Sequence, residues 1–203
     1  MHVMHVLMHA IVFTHGEHTP FDYKSNLTMV TFDPIHFIPA SHQAQILDLP
    51  VTRILAVAHQ NLGDTNHWCF YLSTSAIISV QLDCQPSHSI PGTVLEGGSK
   101  ANLIMSKLDH VLPPDAETYF VLDVFSGVSV AHIYDTICEH GRHKYEFDSN
   151  GVGCRNWVMD QLELFSRTQL ITSAAQVAEA KAGILKLWPD GTPNPLDKGA
   201  YYD

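Results

Sequence analysis

Cys154 stands where a thiol can do chemistry. It follows the glycine turn of "SNGVGCRNWVMDQLELF", residues 149–165, and precedes Val158 by four. Val158, Leu162 and Phe165 recur at helical spacing, so Cys154 shares their face and lies in the first turn of an amphipathic helix. Gly151 and Gly153 allow the sharp backbone turn that must precede it. At a helix start, unpaired N–H groups and the positive end of the dipole stabilise an anion. A thiol, with a free pKa of about 8.5, is more readily ionised in such a place. A free cysteine can equally serve as a small buried hydrophobe. A base within reach separates the two cases.

The stretch "NHWCFYLSTSAIISVQLDC", residues 66–84, offers that base. Alternation puts Trp68, Phe70 and Leu72 on one face of a strand and His67, Cys69 and Tyr71 on the other. Ile78, Val80 and Leu82 form the apolar face of the next strand. An antiparallel hairpin that gathers both triplets on one side, turning about Ser75, sets Tyr71 opposite Ser79, Cys69 opposite Gln81 and His67 opposite Asp83. Opposed residues approach to about 5.5 Å. Asp83 then accepts one ring N–H and leaves the other nitrogen of His67 for a thiol. A two-residue shift offers Gln81 instead.

The His-aromatic strand "NHWCFYL" followed by the helix start "GCRNWV" resembles the permuted papain-fold thiol enzymes, the NlpC/P60-type and lecithin:retinol acyltransferase-like proteins. That resemblance implies a permuted papain-like arrangement, with Cys154 as nucleophile, His67 as base and Trp157 in the family's aromatic place. Gly153 replaces the asparagine that these enzymes often carry before the cysteine. The oxyanion donors are then the backbone N–H of Cys154 and one further group. The ending "LWPDGTPNPLDKGAYY", together with "GVGCRNW", is also similar to a fungal protein family without an assigned activity, over most of the chain after about Arg53.

Arg155 opposes the dipole of its own helix by about 0.3–1 kcal/mol if exposed, and needs a partner. Either Asp148 or a carboxylate-bearing substrate beside the nucleophile provides one. The expected function is a cysteine-dependent hydrolase or acyltransferase that forms an acyl-enzyme on Cys154. Asp83 orients His67, and Gly153, Arg155 and Gln81 lie at the oxyanion or substrate. The partner is a small-molecule or peptide acyl substrate, and neither a cofactor nor a metal is called for. The alternative is an inactive binding module on the same scaffold.

The elements that must position these residues follow from the same patterns. Strands are expected at 6–13, 28–32, 53–58, 67–72, 77–83, 119–124 and 143–147, while 103–108 is ambiguous. Helices are expected from the N-cap Ser129 to the stop at Gly141, from Cys154 onward, and from about Ser173 to Leu187. Strands cluster before the main helices, which predicts an α+β fold with the Cys154 helix packed on an antiparallel sheet. The 203 residues suit one domain, with a His-rich segment at 1–20 and an irregular tail at 189–203.

Composition narrows the classes. A net charge of −10 with 11 Lys and Arg opposes a nucleic-acid or anionic-membrane partner. No apolar run reaches the ~20 residues of a membrane span, and the opening lacks the basic start of a signal peptide. Cysteines at 69, 84, 138 and 154 show neither zinc-motif nor disulfide spacing, as in a reducing, cytoplasmic compartment. His2, His5 and His9 have helix-compatible spacing, but lack the partners of a metal site.

Overall fold

The β-branched and aromatic runs pair into one large sheet. The computed structural model describes residues 32–61 and 63–203. The chain divides into Met1–Phe32 and Asp33–Asp203. The expected strand 6–13, nearly all of 28–32 and the His-rich segment 1–20 lie outside the described residues.

Within Asp33–Asp203 the strands are β1 (Ile35–Ile38), β2 (Arg53–Asn61), β3 (Asn66–Ser73), β4 (Ser79–Pro91), β5 (Ser99–Leu108), β6 (Ala116–Asp123) and β7 (Tyr145–Phe147). Short strands β8 (Lys186–Leu187), β9 (Thr192–Pro193) and β10 (Ala200–Tyr201) follow near the C-terminus. The helices are α1 (Gln43–Leu47), α2 (Val130–Glu139), α3 (Cys154–Arg167) and α4 (Ala174–Ile184). The fold is α+β. The large sheet runs β10-β7-β5-β4-β3-β2-β6, and β1 joins β5 beside β7. Every pairing in it is antiparallel except that of β1 with β5.

Helix α3 lies on the face formed by Trp68, Phe70 and Leu72. Trp157 and Phe165 place their rings 6.2 and 5.7 Å from that of Phe70. Val158 and Leu162 are fully buried in the same core. The opposite face carries a smaller cluster of Leu55, Val57, Cys69 and Tyr71, packed by Leu108, Val111, Leu112, Ala116 and Val121. The stripe of His67, Cys69 and Tyr71 is therefore largely covered rather than open to water.

Local chemistry explains the ends of the helices. Ser129 Oγ accepts from the His132 N–H as the N-cap of α2, and Gly141 beyond its end has φ 66°. Ser173 caps α4 in the same way, through the Gln176 N–H. The fourth helix stops at Ile184 and not at Leu187, because Lys186–Leu187 pairs with Thr192–Pro193. The tail from 189 is more regular than its prolines and glycines suggest. Its Ala200–Tyr201 segment pairs with β7 and extends the sheet.

Gly183 sets the approach of α4 to β6. A Cβ at this position would meet Phe120 Cζ at 2.1 Å. The Phe120 ring cannot yield easily, since it stacks on Trp68 at 6.1 Å and meets Trp188 edge-on at 6.3 Å. In an open helix Gly→Ala adds about 1 kcal/mol of stability. Here overpacking at about 1–3 kcal/mol outweighs that gain. Gly183→Ala should lower the urea midpoint, and a raised midpoint would refute this packing.

Candidate functional site

The start of α3 is shaped by what surrounds it. Asp148 Oδ1 accepts from the N–H groups of Asn150 and Val152 at 2.9 and 2.8 Å, closing the turn before the helix. Gly151, with φ 73°, occupies the left-handed region in that turn. Gly153 is the N-cap, and no side chain caps the helix. Its backbone carbonyl accepts from the Tyr145 hydroxyl at 2.9 Å. A Cβ on Gly153 would lie 3.1 Å from Phe147 Cδ1 and 3.4 Å from the Tyr145 ring. An asparagine would crowd this wall, so glycine is what seats the helix. Cys154, next in line, is 7% exposed.

His67 comes from the start of β3, and its Nε2 donates to Asp83 Oδ1 at 2.7 Å. Asp83 is buried, and its second oxygen accepts from Gln85 Nε2 at 2.5 Å. The expected partners thus meet, but through a different register. Phe70 pairs with Leu82, Tyr71 with Gln81 and Ser73 with Ser79, two residues away from the expected alignment. The turn is centred one residue later, on Ala76, and is closed by Thr74, whose N–H and hydroxyl both bond to the Ile78 carbonyl. An even shift preserves every face. His67 therefore reaches Asp83 diagonally instead of directly across.

By alternation His67 points away from the face that α3 covers. The β3–β4 ladder, however, ends at Phe70↔Leu82, while β2–β3 pairing continues to Asn61↔Asn66 and β4–β5 pairing to Pro86↔Ala101 and beyond. The two strands part at the level of His67. Gln60, Asn66, His67, Asn150, Gly151 and Cys154 line a cleft of about 270 Å³ there, with Thr65 and Val152. Through this parting Cys154 and His67 open onto the same cleft. Burial lowers the pKa of His67, but its hydrogen bond to Asp83 and the neighbouring Cys154 raise it to about 10. With Nε2 committed to Asp83, Nδ1 is the nitrogen left for the sulfur.

Two expected contributors point elsewhere. Gln81 Nε2 donates to Cys69 Sγ at 3.5 Å and does not line the thiol cleft, because the observed register sets it opposite Tyr71, further along the strand from His67. Arg155 binds neither Asp148 nor an open substrate position. Its fully buried guanidinium donates to the Ile184 carbonyl from Nε at 3.0 Å and Nη2 at 2.6 Å. Nη1 donates to the Pro195 carbonyl at 2.8 Å, and Nη2 also to that of Asn194 at 2.6 Å. Backbone oxygens, not a carboxylate, offset its charge.

A second His–Asp pair lies beside the first. His59 Nδ1 bonds to Asp115 Oδ2 at 2.9 Å, and His59 Nε2 lies 3.3 Å from Cys69 Sγ and 3.4 Å from the Tyr71 hydroxyl. The His59 and His67 rings are 5.8 Å apart. Extending the alternation of Leu55 and Val57 by one step would have placed His59 on this face; ending the strand at Ala58 hid it. Asp115 lies in a loop with no periodic signal.

The chain belongs to a family known as a domain of unknown function (DUF7770), whose model matches residues 52–202. No curated protein and no solved structure matches the chain.

Arg155 ties the thiol helix to the segment 194–195. Lysine cannot reproduce four bonds in a planar fork. Arg155→Lys should cost about 3 kcal/mol, through buried carbonyls left unpaired. Hydrogen exchange should rise in 184–201 before the rest of the chain opens. Unchanged protection there would show that the fork does not hold the tail.

Proposed function

We propose that this member of the DUF7770 family is a cysteine-dependent hydrolase or acyltransferase, acting on an amide, ester or thioester through an acyl-enzyme on Cys154. The observation that carries the reading is one arrangement of three residues. A thiol at an uncapped helix start shares a cleft with His67, which is itself anchored by Asp83 at 2.7 Å. The order of histidine strand before cysteine helix supports the permuted papain-like arrangement. The four free cysteines support a reducing compartment. Among the described residues no helix is long and apolar enough to cross a membrane.

The attacking form of the site is a Cys154 thiolate beside a protonated His67. The sulfur attacks the carbonyl carbon, and the oxyanion takes the N–H of Cys154 and neighbouring N–H groups of the first turn. Collapse expels the amine, alcohol or thiol, which takes the proton from His67 and leaves a thioester. Acylation removes the negative charge on sulfur that helped hold the imidazole protonated. Neutral His67 then accepts a proton from water or from an acceptor alcohol or amine, which attacks the thioester and releases the Cys154 thiolate. Asp83 keeps Nε2 engaged throughout and stabilises each imidazolium. A cleft of about 270 Å³ suits a small acyl group or the end of an extended chain.

Iodoacetamide labelling with peptide mapping tests the nucleophile. Cys154 should react first at neutral pH, and His67→Ala should slow it by about ten-fold or more, as loss of a positioned acid–base group does. Faster labelling of the half-exposed Cys138 would leave an inactive binding module as the reading that stands.

The charge state of His67 supplies a separate check. Despite burial, Asp83 and Cys154 beside the ring push the folded pKa up to about 10, above the ordinary 6.5 of a histidine. The pair therefore adds its full stability below about 6.5, and this is lost as pH rises through about 10. The His67 ring signals should titrate near 10 by NMR, and Asp83→Asn should move the midpoint down. Titration near 6.5 in the unaltered protein would refute the charged pair.

A further inference from the structure

The catalytic reading leaves Cys69 and His59, crowded behind His67, without a role. One ring nitrogen of His67, the Cys69 sulfur and a carboxylate oxygen of Asp83 all lie within 4.8 Å of one another. A fourth donor, His59 Nε2, is 3.3 Å from the same sulfur. With zinc bonds of about 2.3 Å to sulfur and 2.0–2.1 Å to nitrogen, a tetrahedral site has an S···N edge of about 3.5 Å. Three of the donors are thus already gathered, and His59, which among them touches only the sulfur, closes the set by a side-chain shift toward His67 and Asp83.

We infer that His59, His67, Cys69 and Asp83 form a zinc site that shares the proposed general base, so that zinc and thiol catalysis exclude each other. With Cys69 deprotonated beside the Asp83 carboxylate, two of the ligands are anionic, which balances the charge of a divalent ion. Cys69 and His67 each release a proton to water as the bonds to metal form. A thiolate with two imidazoles does not suit magnesium or calcium, which take oxygen donors.

The outer contacts are those that hold metal ligands in place. Asp115 grips His59 Nδ1 at 2.9 Å and leaves Nε2 facing the sulfur, the carboxylate–histidine arrangement that orients a ligating imidazole. Gln85 holds the second oxygen of Asp83, and Gln81 donates to Cys69 Sγ. Cys69 and Asp83 are buried, while the His67 side chain is 36% exposed and gives the ion an entry from the cleft. The sequence hid this set because its members come from three strands with no motif spacing.

Cobalt, a spectroscopic stand-in for zinc, tests the site on the full chain kept reduced with a phosphine. One equivalent should produce a thiolate-to-cobalt charge-transfer band, and zinc should abolish it. The band should survive Cys154→Ser and vanish in Cys69→Ser. His59→Gln, which spares the buried sulfur, should weaken cobalt binding by about ten-fold or more, as expected for losing one of four ligands. Absence of the band in the unaltered protein overturns the inference. So does a band lost with Cys154 and kept without Cys69, or unchanged affinity in His59→Gln.

Mutual exclusion rests on the catalytic reading and has its own readout. Saturating zinc should slow iodoacetamide labelling of Cys154 by about ten-fold, by taking its acid–base partner. A charge-transfer band beside a Cys154 that is slow with or without zinc supports the metal site and retires the enzyme. A reactive Cys154 that zinc leaves untouched overturns the exclusion.

Discussion

The seating of the first turn of α3 governs everything at the site. Arg155 reaches back from that turn to carbonyls of Ile184, Asn194 and Pro195, joining the end of α4 and the C-terminal segment to the thiol helix. Tyr145 holds the Gly153 carbonyl from the β7 side and also accepts from the N–H of Gly199. Neither contact touches a substrate position. Both fix where Cys154 begins its helix, and a displacement of about 1 Å at a reacting atom is enough to cost a large part of a rate. A buried cation satisfied wholly by backbone oxygens is expensive to disturb, which makes the placement stiff.

Burial of Asp83 is the second organising constraint. A carboxylate taken out of water must be paired or bonded on both oxygens. Here His67 takes one oxygen and Gln85 the other. That demand raises the imidazole pKa and holds the ring beside the thiol in the same act. The same surroundings, with the desolvated Cys69 thiol driven up by burial, form a place where a proton and a divalent ion compete for the same donors. Acid–base chemistry and metal affinity arise from one electrostatic need.

Glu146 shows the same logic in a structural role. Its carboxylate accepts from the N–H groups of Thr93, Val94 and Leu95 and from the Thr93 hydroxyl, fixing the loop between β4 and β5. Burial raises its pKa, but these hydrogen bonds prevail and lower it. The loop lines a cleft of about 760 Å³ that shares Asn150 and Gly151 with the thiol cleft.

Periodicity in the chain was sufficient for the local facts. The spacing of Val158, Leu162 and Phe165 placed Cys154 on the buried side of a helix, and the alternation in 67–83 put His67 and Asp83 on one sheet face. Parity is robust, because an even register shift changes the partner opposite a residue and never its face. The observed shift of two residues therefore moved the pairing and spared the His67–Asp83 bond. Gln81 had no such protection, since its usefulness depended on distance along the strand and not on side. The single-sequence pattern is blind to contacts between distant segments. Arg155 looked like an unpartnered cation because its acceptors are backbone carbonyls 29 to 40 residues away, and a carbonyl carries no side-chain signature. The parting of β3 from β4, the covering of the Cys69 face and the meeting of His59 with Cys69 were likewise decided by packing. Tertiary structure alone can bring a residue from each of several strands to one point, because that distance depends on how the whole sheet twists, pairs and splits.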